Sequence, residues 1–321
     1  MTTRLFSRSD RRHLRRITTV SITASMVAEL RKKTGAGMMD CKKALKETDG
    51  NMDDAVDFLR KKGLSAAAKK SGRVAAEGVV VVSSAGAIGA LVEVNAETDF
   101  VAKNDAFKAF VAGIGDVVLA NAVADVEALK SLDFPGTGRN VGEELTHQIA
   151  TIGENMDIRR LQRFDAGEGV VTSYVHGAGK IGVLVELKTQ SNDEKVTALA
   201  RQIAMHVAAA SPQYLCREDV PEAVVEKEKE IMRVKALESG KPENIVEKII
   251  LGQINKFFGE VCLLEQAYVI DPDQKVGKIV DALAKELGVE VTLSRYERYQ
   301  LGEGIEKKED DFAAEVAAMS K

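Results

Sequence analysis

The residue types that carry chemistry are spaced here in ways that fit no reaction. His13, His147, His176 and His206 never fall at HxxxH or HExxH spacing, so no helix face pairs two imidazoles on a metal ion. Cys41, Cys216 and Cys262 are odd in number, far apart and outside any CxxC, which points to a reducing compartment rather than a disulfide framework or zinc site. No GxxxxGK[ST] phosphate loop occurs, and Gly86 and Gly89 lie inside a hairpin pattern instead of between a strand and a helix N-terminus. No Ser, Cys or Lys has a recognisable acid–base neighbour, although such partners also assemble in space. The reading is a chain without bond-making chemistry, metal or cofactor; the alternative is an enzyme whose Gly-rich turns cradle a phosphate.

Two apolar features are out of place for a scaffold. Met38-Met39 stands between Gly37 and Asp40 at a loop-to-helix junction, where adaptable thioether side chains suit either a gap between helices or a partner surface. Thr98-Asp99-Phe100-Val101 falls where a strand must turn into a helix, with Asp99 suited to the cap. His176 lies in a hairpin turn, open to a partner. His206, beside Met205 and Val207, reads as a partly buried helical residue.

These features sit on a repeated scaffold. Gly78-Val79-Val80 through Ile88-Gly89-Ala90-Leu91-Val92-Glu93-Val94 is echoed by Gly169-Val170-Val171 through Ile181-Gly182-Val183-Leu184-Val185-Glu186-Leu187. In each copy β-branched residues flank a Gly/Ala-rich turn, and a long helix follows, from about Ala102 and again from Glu194. Matched through the repeat, Asp193 falls opposite Phe100. The scaffold itself therefore does not require an aromatic there, and core packing of Phe100 remains open.

The predicted fold class is α+β. An Arg-rich extension (1–20) of transit-like composition precedes a three-helix domain (21–63), in which Asp40 and Asn51 stand at N-cap positions and Lys61-Lys62-Gly63 closes the third helix. A helical or flexible linker (64–77) leads to the first repeat (78–168), with a turn-rich loop at Phe134 to Asn140, a helix from Val141 to Thr151 and a polar stretch from Gly153 to Arg160. The second repeat (169–211 with 260–301) has strand-like runs at Gln266 to Ile270 and Val289 to Arg298 around a helix from Val276 to Leu287. Between its parts an antiparallel helical hairpin (212–259) is inserted, joined at Gly240-Lys241-Pro242, and its apolar stripe suits packing or homodimer formation. A helical arm (302–321) carries Phe312, Val316 and Met319 on one stripe.

At 321 residues the chain has room for two to four compact units. A net charge of -4 argues against direct nucleic-acid binding and favours a protein partner. The longest apolar stretch, Val79 to Val94, is interrupted by Ser83, Ser84, glycines and Glu93, so no membrane role is expected.

Two strings resemble the elongation factor Ts family closely: Thr34-Gly35-Ala36-Gly37-Met38-Met39-Asp40-Cys41-Lys42-Lys43-Ala44-Leu45 and Thr98-Asp99-Phe100-Val101-Ala102-Lys103. The likeness continues through Ile152-Gly153-Glu154-Asn155, Tyr174-Val175-His176-Gly177, Met205-His206-Val207-Ala208-Ala209 and the tail from Gly302-Glu303-Gly304-Ile305-Glu306, covering about residues 22 to 321. The resemblance implies a UBA-like N-terminal domain and a guanine-nucleotide exchange factor for elongation factor Tu. It carries a role in dislocating the partner's Mg²⁺ onto Thr98, Asp99, Phe100 and Val101, and further partner contacts onto Arg31, Met38, Met39, Gly153 and His176. The tail resembles the bacterial form, which implies a cytoplasmic protein. The rival reading is a structural adaptor whose hairpin mediates association without effect on nucleotide.

Overall fold

The computed structural model describes residues 21–239 and 242–306; the extension at 1–20, the Gly240-Lys241 part of the hairpin turn and the stripe of the C-terminal arm lie outside them. The protein is α+β, and the chain divides after Ala68 into two compact units.

In the first unit, α1 (Ala24–Thr34), α2 (Met38–Glu47) and the start of α3 (Met52–Lys70) surround a small core of Leu30, Cys41, Ala44, Leu45 and Ala55. Local chemistry sets the helix ends. The Thr23 side chain accepts the Met26 N–H, Gly35 ends α1 in the left-handed conformation, and Asn51 Oδ1 accepts the Asp53 and Asp54 N–H groups. Asp40 is not a cap: α2 starts two residues earlier, with Gly37 as N-cap, and Asp40 lies in its first turn. Nor does Gly63 close α3. The glycine is buried and the helix runs through it to Lys70, because Leu64 and the Ala66-Ala67-Ala68 run are strong helix formers that offset its cost of about 1 kcal/mol.

The second unit holds the repeat. Its first half comprises β1 (Glu77–Ala85), β2 (Ile88–Ala96), α4 (Asp99–Lys103), α5 (Asp105–Ala120), α6 (Val126–Lys130), the two-residue strands β3 (Asp133–Phe134) and β4 (Arg139–Asn140), α7 (Val141–Ile152) and β5 (Met156–Asp165). Its second half comprises β6 (Val170–His176), β7 (Ile181–Thr189), α8 (Glu194–Ala210), the hairpin helices α9 (Glu222–Glu238) and α10 (Glu243–Val261), α11 (Val276–Leu287) and β8 (Val291–Gln300). Each half builds one antiparallel three-stranded sheet, in the orders β1-β2-β5 and β6-β7-β8. The repeat thus includes a third strand, and the stretch read from sequence as polar contains the start of β5. The run from Gln266 to Ile270 is not a strand. Its only ladder contact is the isolated Ala267–Lys275 bridge, and its other backbone groups bond to helix ends and side chains.

The two sheets meet where their central strands carry glycine. A Cβ on Gly182 would lie 2.5 Å from Val80 Cγ1 and 2.7 Å from Val82 Cγ2, and one on Gly89 would lie 2.4 Å from Val171 Cγ1. Val80, Leu91, Phe164, Val171, Leu184 and Tyr299 fill the interface around that crossing. The hairpin turns dock reciprocally: Val80 N–H donates to Gly179 C=O at 2.8 Å and Val171 N–H to Gly86 C=O at 3.0 Å.

A buried carboxylate stands at the same place in each sheet. Glu93 and Glu186 both flank a register shift, and both face an arginine on the third strand, Arg160 and Arg295. Glu93 accepts from Arg160 Nε at 2.6 Å, Arg159 Nη1 at 3.1 Å, Asn95 Nδ2 at 3.1 Å and the Gly302 N–H at 2.8 Å. Glu186 accepts from Ser294 and from Arg295 Nη2 at 2.6 Å. Each arginine then stacks on an aromatic ring of the other repeat, Arg160 on Tyr299 and Arg295 on Phe164, both at 4.1 Å.

Burial alone would raise the Glu93 pKa, but the Gly302 N–H, the Arg160 guanidinium and the Asn95 amide outweigh it and hold the group below its ordinary value. A carboxyl held lower in the folded than in the unfolded chain contributes stability that is present above the unfolded pKa and lost as pH falls through the folded value. Glu93→Gln, which removes the buried charge that Arg159 and Arg160 face and leaves Arg160 only its exposed pair with Glu303, is expected to cost about 3 kcal/mol at neutral pH. It should also flatten the fall of urea-unfolding free energy across the acid range. An acid limb identical to that of the unsubstituted protein would contradict this.

Candidate functional site

The two repeats differ in the turn that leads from the central strand into the long helix. Eight residues separate β2 from α5, whereas four separate β7 from α8. The added residues form the single turn α4. Asn104 caps α5 by accepting the Ala106 and Phe107 N–H groups, just as Asp193 caps α8 by accepting the Lys195 N–H. The counterpart of Asp193 is therefore Asn104, and Phe100 has none. A match made through the strands hides this four-residue insertion.

Thr98, not Asp99, is the N-cap of α4: its extended backbone lets Oγ1 accept the Val101 N–H at 3.4 Å. Asp99 occupies the first helical position, where the helix dipole favours an anion, and pairs with Lys103 Nζ at 2.6 Å. Its pKa is lowered chiefly by that Lys103 hydrogen bond, with smaller help from the charge of Lys180 on the β6–β7 turn. Val101 points inward and is buried. Phe100 is 78% exposed, with Lys103 Nζ 5.8 Å from its ring centre, which rules out core packing as its role.

The base of the turn is held from the link between α7 and β5. Glu154 takes the Thr98 N–H at 3.0 Å and the Thr98 hydroxyl at 2.9 Å. Glu97 takes the Asn155 N–H and pairs with Arg73 at 3.3 Å, while Asn155 Nδ2 donates to Arg73 C=O at 2.8 Å. Gly153 makes this approach possible by ending α7 at φ +95°, a left-handed conformation that a side chain would strain.

On the other side of α4, a shallow hollow of about 250 Å³ is lined by Val79, Val81, Ala102, Lys108, Val175 and Ala178. His176 follows Val175 of this lining and is the last residue of β6, paired with Ile181, so it ends a strand and does not lie in the turn itself; it is exposed, with Nδ1 3.2 Å from the Tyr174 hydroxyl. The structure thus gathers Thr98, Asp99, Phe100, Val101, Gly153 and His176 around α4. Arg31, Met38 and Met39 belong to the first unit. Met38 and Met39 begin α2 at 59% and 74% exposure, so they plug no gap between its helices, and Arg31 is exposed in the last turn of α1. His206 is fully buried, with Nε2 2.9 Å from Gln266 Oε1 and Nδ1 accepting the Val269 N–H, so it belongs to the core. Among the described residues no group of His, Cys, Asp or Glu side chains could hold a metal ion, and no helix is long and apolar enough to cross a membrane.

A sequence profile described as "Elongation factor TS" matches residues 97–303. The chain belongs to the elongation factor Ts family. The elongation factor Ts of Syntrophotalea carbinolica is 69% identical over 303 residues, covering 94% of this chain and 100% of the relative. That of Magnetococcus marinus is 58% identical, covering 94% and 99%, and that of Clostridium perfringens 50% identical, covering 93% and 99%. The segment matching the elongation factor Ts profile takes in α4, Gly153 and His176; these relatives extend the likeness over the first unit.

Glu97, Glu154, Asn155 and Lys180 escaped the reading of site residues from sequence. Glu154 lies 56 positions from Thr98, and the only local sign was a polar pair directly after the helix-ending Gly153. Phe100→Ala is expected to change the unfolding free energy by less than about 0.5 kcal/mol, as for surface positions, where a buried Phe would cost about 3–5 kcal/mol. Urea denaturation distinguishes these outcomes.

Proposed function

We propose that this chain promotes release of guanine nucleotide from elongation factor Tu during translation elongation, with the Thr98–Val101 turn as a wedge near the partner's Mg²⁺ site. Membership of the elongation factor Ts family supports the exchange role. The observation that carries the wedge is Phe100, an exposed aromatic on a braced turn that the second repeat does without. No bond is made or broken. Exchange of this kind is differential binding: a wedge accommodated only when the Mg²⁺ ligands are displaced stabilises the nucleotide-poor state and lowers its affinity for GDP. Linkage then requires GDP to weaken the factor's own grip by the same factor.

Gly153 and His176 extend this contact surface, and Arg31, Met38 and Met39 supply a second contact from the first unit. A Phe ring seated in a partner pocket typically costs about 2 kcal/mol or more on truncation, a factor of roughly 30. Stopped-flow release of a fluorescent GDP analogue should therefore slow about 30-fold with Phe100→Ala. Release at the unsubstituted rate would exclude Phe100 as the wedge.

The inserted hairpin supports a second role. Ile231, Val234, Leu237, Ile245 and Leu251 stay exposed on α9 and α10, while Ala236, Val246 and Ile250 pack between the two helices. We propose that these exposed side chains pair two copies of the chain. Sedimentation equilibrium should show a concentration-dependent dimer that Leu237→Glu dissociates; a monomer at every concentration would contradict it.

A further inference from the structure

We propose that Glu154 is a positioning residue for nucleotide exchange: its carboxylate holds Thr98, and through Thr98 the turn that carries Phe100, in the shape the partner accepts. This rests on the wedge reading of Phe100 and adds a residue that acts without having to touch the partner.

α4 has only five residues, far too few to persist on its own propensity, since an isolated helix below about 12 residues is marginal in water. Its order must come from its cap and from burial of Val101. The cap is a directed chain of hydrogen bonds. An ionised carboxylate only accepts, so the single hydroxyl proton of Thr98 points to Glu154, 2.9 Å from Oε1 and 3.1 Å from Oε2. That leaves an Oγ1 lone pair for the Val101 N–H. The Thr98 backbone N–H goes to Glu154 Oε2 as well. One side chain thus fixes both the backbone before α4 and the direction of its cap.

Glu154 is itself held on rigid elements. It follows the left-handed Gly153 at the end of α7, and its neighbour Asn155 is buried, tied to Arg73 and Glu97 just before β5 begins. Phe100 is left free of such support: it points to solvent, two residues beyond Thr98. The arrangement is that of a preorganised anchor, in which the ordering cost of the loop is met in the free protein.

The consequence separates Glu154 from Phe100 kinetically. A turn that is ordered only part of the time lowers the apparent affinity by the competent fraction, while a partner that has bound orders it again. If that fraction falls to about one-tenth, the factor concentration for half-maximal exchange rises about tenfold and the maximal rate is kept. Loss of the wedge acts on the maximal rate instead.

The test is GDP release from elongation factor Tu, followed by stopped-flow fluorescence over a range of factor concentrations. It compares the unsubstituted protein with Glu154→Gln, Glu154→Ala, Thr98→Val, the Glu154→Gln/Thr98→Val double variant and Phe100→Ala. Glu154→Ala should raise the half-maximal concentration about tenfold with the maximal rate unchanged, Glu154→Gln should lie between it and the unsubstituted protein, and Thr98→Val should raise the half-maximal concentration to a similar extent. The double variant should fall short of the sum of the two single effects, because both weaken the same Thr98 hydroxyl–Glu154 bond while the Thr98 N–H keeps an acceptor. Circular dichroism confirms folding, and Glu154→Gln, nearly isosteric, carries the test if Glu154→Ala does not fold. An unchanged half-maximal concentration in the Glu154 variants, beside a slowed Phe100→Ala, would overturn the inference and leave the wedge standing. Full additivity in the double variant would also overturn it. Unsubstituted behaviour in every variant, Phe100→Ala included, would overturn the wedge reading and the inference with it.

Discussion

The buried Glu93 carboxylate is the constraint on which the core depends. It lies fully out of water on the central strand of the first sheet, a position tenable only because two arginines, an asparagine amide and the Gly302 N–H converge on it. Those donors come from β2, from β5 and from the turn after β8, which belongs to the other repeat. Satisfying one charge therefore joins the two halves of the chain. The crossed stacking of Arg160 on Tyr299 and Arg295 on Phe164 repeats the logic, since each guanidinium neutralises a carboxylate in its own sheet and covers a ring of the other. Glycine at the crossing lets the sheets approach closely enough for both arrangements to close.

On this double sheet, the α4 turn is an addition. The second repeat passes from β7 to α8 in four residues and shows that the scaffold closes without α4. The first repeat spends its extra turn on an exposed aromatic and braces the base of that turn with polar residues from the link between α7 and β5. The residues that hold the turn are thereby separate from the one it exposes. Val101 and Thr98 belong to the fold, and Phe100 belongs to the surface.

What was legible in the sequence follows the same division. The hairpins of both repeats stood out because β-branched runs around Gly/Ala turns leave few other conformations, and the internal echo doubled the signal. β5 did not stand out. Its Asp157, Arg159, Arg160, Gln162 and Arg163 look like a solvated stretch, and only the pairing with Glu93 and the stacking on Tyr299 reveal how such residues line a sheet. The end of α3 is not legible at Gly63, because the alanine-rich continuation overrides the local stop signal of Lys61-Lys62-Gly63. Phe100 was legible as a residue the repeat could not account for, though the match to Asp193 was displaced by the hidden insertion. Its support was invisible, since Thr98 and Glu154 meet only through the fold.

The account's central claim is that the α4 turn discriminates between nucleotide states of the partner instead of merely gripping it. The most direct test is equilibrium affinity for nucleotide-free and for GDP-loaded elongation factor Tu, measured side by side for the unsubstituted protein and for Phe100→Ala. The account predicts that the unsubstituted protein binds the nucleotide-free form much more tightly, and that Phe100→Ala narrows the gap mainly by weakening that binding. An affinity ratio left unchanged by the substitution would contradict it.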